Sequence, residues 1–521
     1  MSPSPTVVLT SPSTEMSEYD DNHVMSFGAA FSKPWFVPRS AMRGRVYKPS
    51  RSRGGVVERA PLGLRRLEAL LLGARVGSVA IADPDRLGSV VGPETKVIGV
   101  SAKDPQGMGY VSLTYSSIMG FGPAINRLEF ERLMGKVSEL RARYGLKVVM
   151  GGPGVWQVRR AEDEGRRFPI DFFFEGPAEA NGADAIGKII AGGAVPKVVQ
   201  GIPAEAEEVP RIMGPTLYGS VEVSRGCGRG CAFCSPTMQR RWSRPVGEII
   251  ADVEVNLKAG VPDVLLVTED ILGYGASGPD FTPNAGAVGA LFGALRGCGG
   301  VKTLQATHAN LASVKADPRL AEAVAADLLE KAVYLHRGRR VASTEVGIET
   351  GSPRLFRRHM AGKCRPFSPD DWQDIVLSSL GFLEDREWVG VGTVIVGMPD
   401  ETEDDTRQTQ RLIDRIVAAG LRTMVIPILF VPLGSCSLKD GAAASFDRLT
   451  DGQICVFTSA WEQNIRQWGA EFFRTPPYNS FISRKAVKHG SWILQRLKYS
   501  RSERWRSAIT GTAIRELAKV A

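Results

Sequence analysis

Ser224-Arg-Gly-Cys227-Gly-Arg-Gly-Cys231-Ala-Phe-Cys234 is the stretch on which the reading of this chain turns. Three cysteines fall within eight residues, spaced C-x3-C-x2-C, with glycines at 226, 228 and 230 between them. Glycine accepts left-handed backbone at little cost, so such a loop can fold back until the sulfurs converge. Cubane iron–sulfur clusters are held by cysteine thiolates, and three thiolates leave the fourth iron open to another ligand. Structural zinc takes four ligands, usually from C-x2-C pairs, and no further Cys or His lies close to this loop. The spacing therefore predicts a [4Fe–4S] cluster on Cys227, Cys231 and Cys234. The remaining cysteines, at 298, 364, 436 and 455, are scattered. That usage excludes a disulfide framework and reads as a cytoplasmic protein with reduced thiols.

Outward from the loop, apolar runs alternate with helical stretches. Strands are expected at 217–224, 264–268, 302–307, 342–348, 389–396 and 423–430, with helices such as 248–259, 318–331 and 402–419 between them. Six strands alternating with helices predict a partial parallel (β/α)6 barrel over about 210–437, with its site at the strand C-termini. Residues 1–200 read as a separate Rossmann-like α/β domain, with five strands at 7–10, 76–82, 97–101, 147–150 and 171–174. Such sheets bind ligands beyond the carboxyl ends of their strands. Residues 438–521 read as a helical region anchored by Trp461, Trp468 and Trp492, and the polar stretch 17–53 has no place in this scheme.

Bulk properties narrow the function classes. A chain of 521 residues exceeds one hydrophobic core, and its 43% hydrophobic and 23% charged residues are those of an ordinary globular enzyme. No run reaches eighteen apolar residues, so no membrane partner is expected, and the first residues do not read as a secretory signal. The net charge of +9 sits almost wholly in one place: from Phe481 onward ten Lys/Arg face two Glu. A basic tail, with Trp492, Ile493 and Leu497 able to pack inward, is not a nucleic-acid groove, and no nucleic-acid partner is expected.

The cysteine loop, with Phe233 before its last cysteine, resembles the signature of radical S-adenosylmethionine (SAM) enzymes. Three further stretches follow in the order found in the cobalamin-dependent branch (class B methylases): Glu345-Val-Gly-Ile-Glu349-Thr-Gly-Ser352, Val396-Gly397-Met-Pro-Asp-Glu401-Thr402 and Val431-Pro-Leu-Gly434-Ser435. The resemblance implies that SAM chelates the open iron, that Glu349 and Ser352 hold its ribose or methionine part, and that Gly397 allows close backbone approach. In the first block, Pro61-Leu62-Gly63-Leu64, Gly151-Gly152-Pro153 and Glu175-Gly176 resemble turns of the cobalamin-binding domain that precedes the barrel in this branch. The implied cobalamin contacts are Leu62, Gly63, Arg65, Ser101, Gly151, Gly152, Glu175 and Gly176.

The histidines sharpen this. They stand at 23, 308, 336, 359 and 489, so the core of the first block holds no imidazole to ligate cobalt. Arg65 stands in the first turn of the helix where the corrin should lie; arginine does not ligate metals, and beneath the corrin it would keep the cobalt's lower face open. Glu269, after the second barrel strand, is a candidate ligand of the fourth iron or of the SAM amino group. These departures resemble the members that methylate C2 of the indole of L-tryptophan in thiopeptide antibiotic biosynthesis. The resemblance implies a polar, non-radical methyl transfer from SAM through cobalamin, and an electron donor for cobalamin reduction. His308 is the candidate general base. The rival readings are a radical methylase of an sp3 carbon that releases 5′-deoxyadenosine, and an iron–sulfur electron carrier. Methylthiotransferases share the barrel motifs but carry three more cysteines upstream, and no cysteine precedes Cys227 here.

Overall fold

A computed structural model describes residues 3–474 except 34 and 36; the basic tail, Trp492 and His489 lie outside the described residues. The chain divides into two compact units, 1–116 with 121–221 and 244–263, and 117–120 with 222–243 and 264–521.

The first unit is built on six parallel strands: β1 (Val7–Thr10), β2 (Val79–Ile81), β3 (Val97–Ser101), β4 (Lys147–Gly151), β5 (Phe172–Glu175) and β6 (Val198–Gln200). Their order is β2-β1-β3-β4-β5-β6, a doubly wound sheet whose switch point falls between β1 and β3. The strands are short apolar runs because both faces are covered. Val8, Ile98, Val100, Val148, Met150 and Phe173 pack on one side with Phe130, Leu133 and Val137 of the long helix Ile125–Tyr144. Val7, Leu9, Val97, Val149 and Phe174 face the other side, against Leu64 and Leu71 of α1 (Leu62–Gly73). The sheet has one strand more than the sequence led us to expect. β6 has three residues and one buried side chain, too little apolar periodicity to register.

Residues 17–53, unplaced by sequence, form two short 3-10 helices and the helix Arg39–Arg45 over a small core of Tyr19, Ala29, Tyr47 and Ile125. Helix α2 (Val246–Lys258) belongs to this unit as well, although it follows the first strand of the expected barrel. The reason is polar: Asp252 and Asn256 are wholly buried on α2 and take the backbone amides of Ile212 and Thr216 at 3.0 and 2.8 Å. Arg66 of α1 binds the same Asp252.

Strands β7 (Ser220–Glu222), β8 (Asp263–Val267) and β9 (Thr303–Ala306) form one sheet, in the order β9-β8-β7. A second sheet follows in chain order: β10 (Tyr334–His336), β11 (Arg339–Glu349), β12 (Trp388–Val396) and β13 (Met424–Leu429). A parallel bridge between His308 and Glu345 joins β9's end to β11. Helices intervene between successive strands, so β7, β8, β9, β11, β12 and β13 are the six strands read from the sequence. The hairpin strand β10, antiparallel to β11, was not anticipated.

The last strand's open edge is covered by α3 (Asp451–Arg474). Asn464, buried on α3, accepts from the Val425 amide at 2.7 Å and donates to the Val425 carbonyl at 2.6 Å, as a further strand would. Trp468, on the same helix, donates its indole N–H to the Arg422 carbonyl and packs against His336. No described helix is long and apolar enough to cross a membrane. Replacing Asn464 by Leu leaves two buried backbone groups without partners, at about 1–3 kcal/mol each. A urea titration of N464L is expected to show a lower midpoint with an unchanged slope.

Candidate functional site

The cysteine loop leaves β7 through Ser224-Arg225, which pair with Trp242-Ser243 on the loop's return. Between them the backbone turns left-handed at Gly226, Gly228 and Gly230, with φ of +72°, +73° and +78°. Few main-chain bonds hold this stretch: Cys227 N–H to the Pro236 carbonyl, Cys234 N–H to that of Cys231, Ala232 N–H to that of His359, and Leu438 N–H to that of Ala232.

Arg229, within the loop, supplies the rest. It is 4% exposed, and its guanidinium donates to the carbonyls of Gly362, Lys363 and Arg365, at 3.4, 3.1 and 3.2 Å, and to the Ser313 hydroxyl at 3.0 Å. Its flat face lies on Phe281, centroid 4.4 Å away, and Arg241 approaches the same ring at 4.6 Å. Asp270, which accepts from Ser313 at 2.6 Å and from the Asn310 amide at 3.1 Å, completes this support.

The clamp sets the backbone of Lys363, whose ammonium bonds Glu349 at 2.9 Å. Burial opposes the lysine's charge, yet Glu349 and the sulfur of Cys231 more than offset it, so its pKa lies above the usual lysine value. Glu349 has φ +62° and also accepts from Thr393 at 3.2 Å. Gly347 makes room for the pair, since a Cβ there would lie 2.0 Å from Glu349 Oε1 and 2.3 Å from Lys363 Nζ.

Burial raises all three thiols, Cys231 to about 11 and Cys234 to about 12; Cys227 adds to the rise at Cys231, and both add to it at Cys234. Metal binding must displace those protons, so the thiols need compensating cations. Lys363 and Arg229 are there to provide them, and the residues present fit a thiolate-held cluster. Among the described residues no three His, Cys, Asp or Glu side chains gather tightly enough for a single ion.

A second group lies along β11. His308 Nε2 is 3.2 Å from Glu345, its Nδ1 is 3.1 Å from the Thr268 carbonyl, and the ring keeps 41% of its side-chain surface. Burial works against a charge on His308, but Glu345 and Glu269 hold its pKa above the usual value. Burial raises Glu269, with His308 and Lys363 pulling the other way.

No family model matches the chain. It is similar to tRNA-2-methylthio-N(6)-dimethylallyladenosine synthases of Magnetococcus marinus, at 27% identity over 223 residues (40% of this chain, 44% of that one), and of Stutzerimonas stutzeri, at 28% over 222 residues (40% and 42%). A 63-residue stretch is 40% identical to the ribosomal protein uS12 methylthiotransferase RimO of Pseudomonas putida, covering 12% of this chain and 14% of that one. The matches thus span less than half the length of these curated relatives. Among solved structures, the radical SAM methyltransferase TsrM from Kitasatospora setae, with tryptophan and a SAM analog (aza-SAM) bound, matches with a TM-score of 0.52. The match covers 83% of this chain and 75% of that one at 14% identity. The fold is similar to the fold of that protein.

Within this fold the residues singled out by sequence are placed as follows. Cys227, Cys231, Cys234 and the half-buried Phe233 share the loop. Glu349 stands beside the thiols through Lys363, and Glu269 beside His308. Ser352 is 1% exposed and caps α4 (Pro353–Met360), accepting from Leu355 N–H and donating to Asp405. Gly397 donates its N–H to Glu401, and Ala444 occupies the space its Cβ would need.

In the first unit, Leu62 and Gly63 open α1 and Ser101 ends β3. Gly151 and Gly152 form the turn after β4, where a Cβ on Gly152 would strike Ser101 and Ala102. Glu175, before Gly176, pairs with Arg159. Arg65 is buried, with each guanidinium nitrogen engaged: Nε on the Pro215 carbonyl, Nη2 on that of Glu58 and Nη1 on Glu68. At the switch point, Thr14 Oγ1 and Gln106 Nε2 are buried and have no hydrogen-bond partner among the described residues, which suits a ligand with a polar rim such as cobalamin's amides. Beside them Glu15 accepts the Lys103 amide at 2.8 Å, and burial raises its carboxyl to about 7.

Lys363, Arg229 and Glu15 were not found by sequence reasoning. The one available signal for Lys363 was Gly347, a glycine inside a strand, which marks a close approach. Replacing Lys363 by Met leaves the Glu349 carboxylate buried and unpaired, at about 3–5 kcal/mol. Urea titration should show K363M strongly destabilised and the double variant K363M/E349Q largely restored.

Glu15 gives a pH signature. Its folded pKa of about 7 exceeds the unfolded 4.5, so the folded state holds the proton more tightly across that interval. Stability should fall as pH rises from 4.5 to 7, by on the order of 1–2 kcal/mol at this partly accessible carboxyl, and E15Q should flatten that slope.

Proposed function

We propose that the chain is a carbon methyltransferase that uses SAM as methyl donor, a [4Fe–4S] cluster on Cys227, Cys231 and Cys234, and cobalamin as methyl carrier. The reading is carried by one observation: three thiols on a glycine loop, one buried and two half-buried, faced by the Lys363–Glu349 pair at the end of β11. The cluster would give SAM a place to chelate, and cobalamin would supply a nucleophilic metal for the methyl group.

The chain's own residues bind and orient. Lys363 offers a fixed positive charge beside the sulfurs, and Glu349 offers a carboxylate held by Lys363 and Thr393. Glu269 is the candidate fourth-iron ligand or partner of the SAM amino group. Thr14, Gln106, Ser101 and the turns at Gly151-Gly152 and Glu175-Gly176 would line the cobalamin edge of the first sheet. Arg65 braces the start of α1 through the Pro215 and Glu58 carbonyls and the Glu68 carboxylate, and would offer bound cobalamin a side chain that does not ligate metal.

The proposed acceptor is C2 of the indole of L-tryptophan, by polar transfer. The fold similarity to a tryptophan-bound methyltransferase supports this choice. A methylthiotransferase reading draws on the curated relatives, but the second set of three cysteines is missing from the sequence before Cys227.

The deciding experiment is anaerobic reconstitution with iron, sulfide and cobalamin, followed by turnover with SAM and L-tryptophan. The expected products are 2-methyltryptophan and S-adenosylhomocysteine in equal amounts. Stoichiometric 5′-deoxyadenosine would replace the polar mechanism with a radical one, and C231A should abolish both cluster absorbance and methylation.

A further inference from the structure

We infer that Glu15, on the loop that leaves β1, binds the cofactor's rim: its carboxyl donates a hydrogen bond to an amide carbonyl of cobalamin. One proton is taken up as the cofactor binds. The inference rests on the cobalamin part of the proposed function and deepens it.

The loop after β1 carries the argument. Residues 11–18 leave the sheet at the switch point, where doubly wound sheets bind their ligands. Hydroxyls fasten this loop to its surroundings. Ser11 donates to the Ser101 carbonyl at 2.7 Å, and the Tyr19 and Tyr218 hydroxyls donate to the carbonyls of Thr14 and Ser17 at 2.9 and 3.1 Å. Thr14, 3% exposed, still has a hydroxyl with no hydrogen-bond partner among the described residues. The turn after β4 lies close against the same strand end: a Cβ on Gly152 would stand 2.7 Å from Ser101 Oγ and 3.0 Å from the Ala102 backbone.

Glu15 stands in this loop, half-buried, with one partner. Its Oε1 takes the Lys103 amide at 2.8 Å, and its other oxygen has no hydrogen-bond partner among the described residues. The neighbouring acids are differently employed. Glu18 and Glu175 pair with Arg59 and Arg159, and Asp104 accepts from the Gly109 amide and the Gln157 side chain. The titratable and charged groups that face Glu15 are Lys103 and Asp104, on the loop after β3, and Tyr19 of its own loop. Lys103 is exposed and forms no ion pair with it among the described residues, and Asp104 opposes a second negative charge. A carboxyl without a paired cation, beside an aspartate and desolvated by burial, keeps its proton up to about pH 7 and then has an O–H to donate.

The same chemistry selects the ligand. An anion would meet Asp104 and Glu15 together, and a cation would drive the proton off. A neutral carbonyl accepts the O–H with no change of charge, and the rim of cobalamin is a ring of such amides.

The test is binding of cyanocobalamin to the full chain, measured by equilibrium dialysis, with no turnover required. The wild-type Kd should be level up to about pH 7 and then rise by up to about tenfold per pH unit, since one proton is needed for each cofactor bound. Gln keeps an oxygen for the Lys103 amide and an N–H for the ligand, so E15Q should bind as the wild type does at the acid end and lose the pH slope. E15A, without a donor, should bind about tenfold more weakly there. Calorimetry in two buffers of different ionisation enthalpy needs no variant: about one proton should enter per cofactor bound above about pH 8. Cyanocobinamide, which has the amides and lacks the nucleotide, should show the same slope. A slope seen with cobalamin and absent with cobinamide assigns the proton to the nucleotide and overturns the inference. So does a wild-type Kd that stays level across the range, or an E15Q slope equal to that of the wild type. A chain that binds no cobalamin at any pH overturns the proposed function and this inference with it.

Discussion

A loop that must deliver three sulfurs to one point cannot also hold itself in place by ladder hydrogen bonds. Left-handed turns at Gly226, Gly228 and Gly230 take the backbone out of any sheet, and only a two-residue pairing remains at its base. The deficit is made up by Arg229. Its rigid, planar fork can satisfy several carbonyls at once, which a lysine's point charge does not. By gripping the 362–365 backbone it fixes both the cysteine loop and the segment that carries Lys363. The position of Glu349, and with it the end of β11, follows from that one side chain.

The electrostatics obey the same economy. Buried thiols resist ionisation, and a cluster needs them ionised. Lys363 lies close enough to Cys231 and Cys227 to favour their thiolate forms, while Glu349 keeps the lysine itself from being an unpaired buried charge. The glycine at 347 is the cost of this arrangement, a strand position without a side chain so that two charged ends can meet.

Much of the fold was legible. The six strands of the second unit stand within a few residues of their sequence positions because each is a run of apolar residues bounded by helices. β10 escaped because Arg337-Gly338-Arg339 reads as a charged loop although it turns a hairpin. Helix α2 was read as a helix, but nothing in its spacing said that Asp252 and Asn256 would be its buried face. At the site, the cysteines announced themselves by spacing. Lys363 could not, since it reaches Cys231 from 132 positions along the chain. Ser352 illustrates the opposite hazard: Ser-Pro is also the signature of a helix start, and its hydroxyl is spent as a cap.

Asn464 gives the second sheet an ending. A primary amide presents a donor and an acceptor with the same separation as a peptide group, so one side chain stands in for the missing neighbour of Val425. It also acts as a vernier: α3 cannot slide or rotate by a residue without the amide leaving its mate. Register of the helix and protection of the strand are thus one property rather than two. A chain that loosens α3 exposes an unpaired, apolar strand edge in the same event, and such an edge is a template for pairing with another chain.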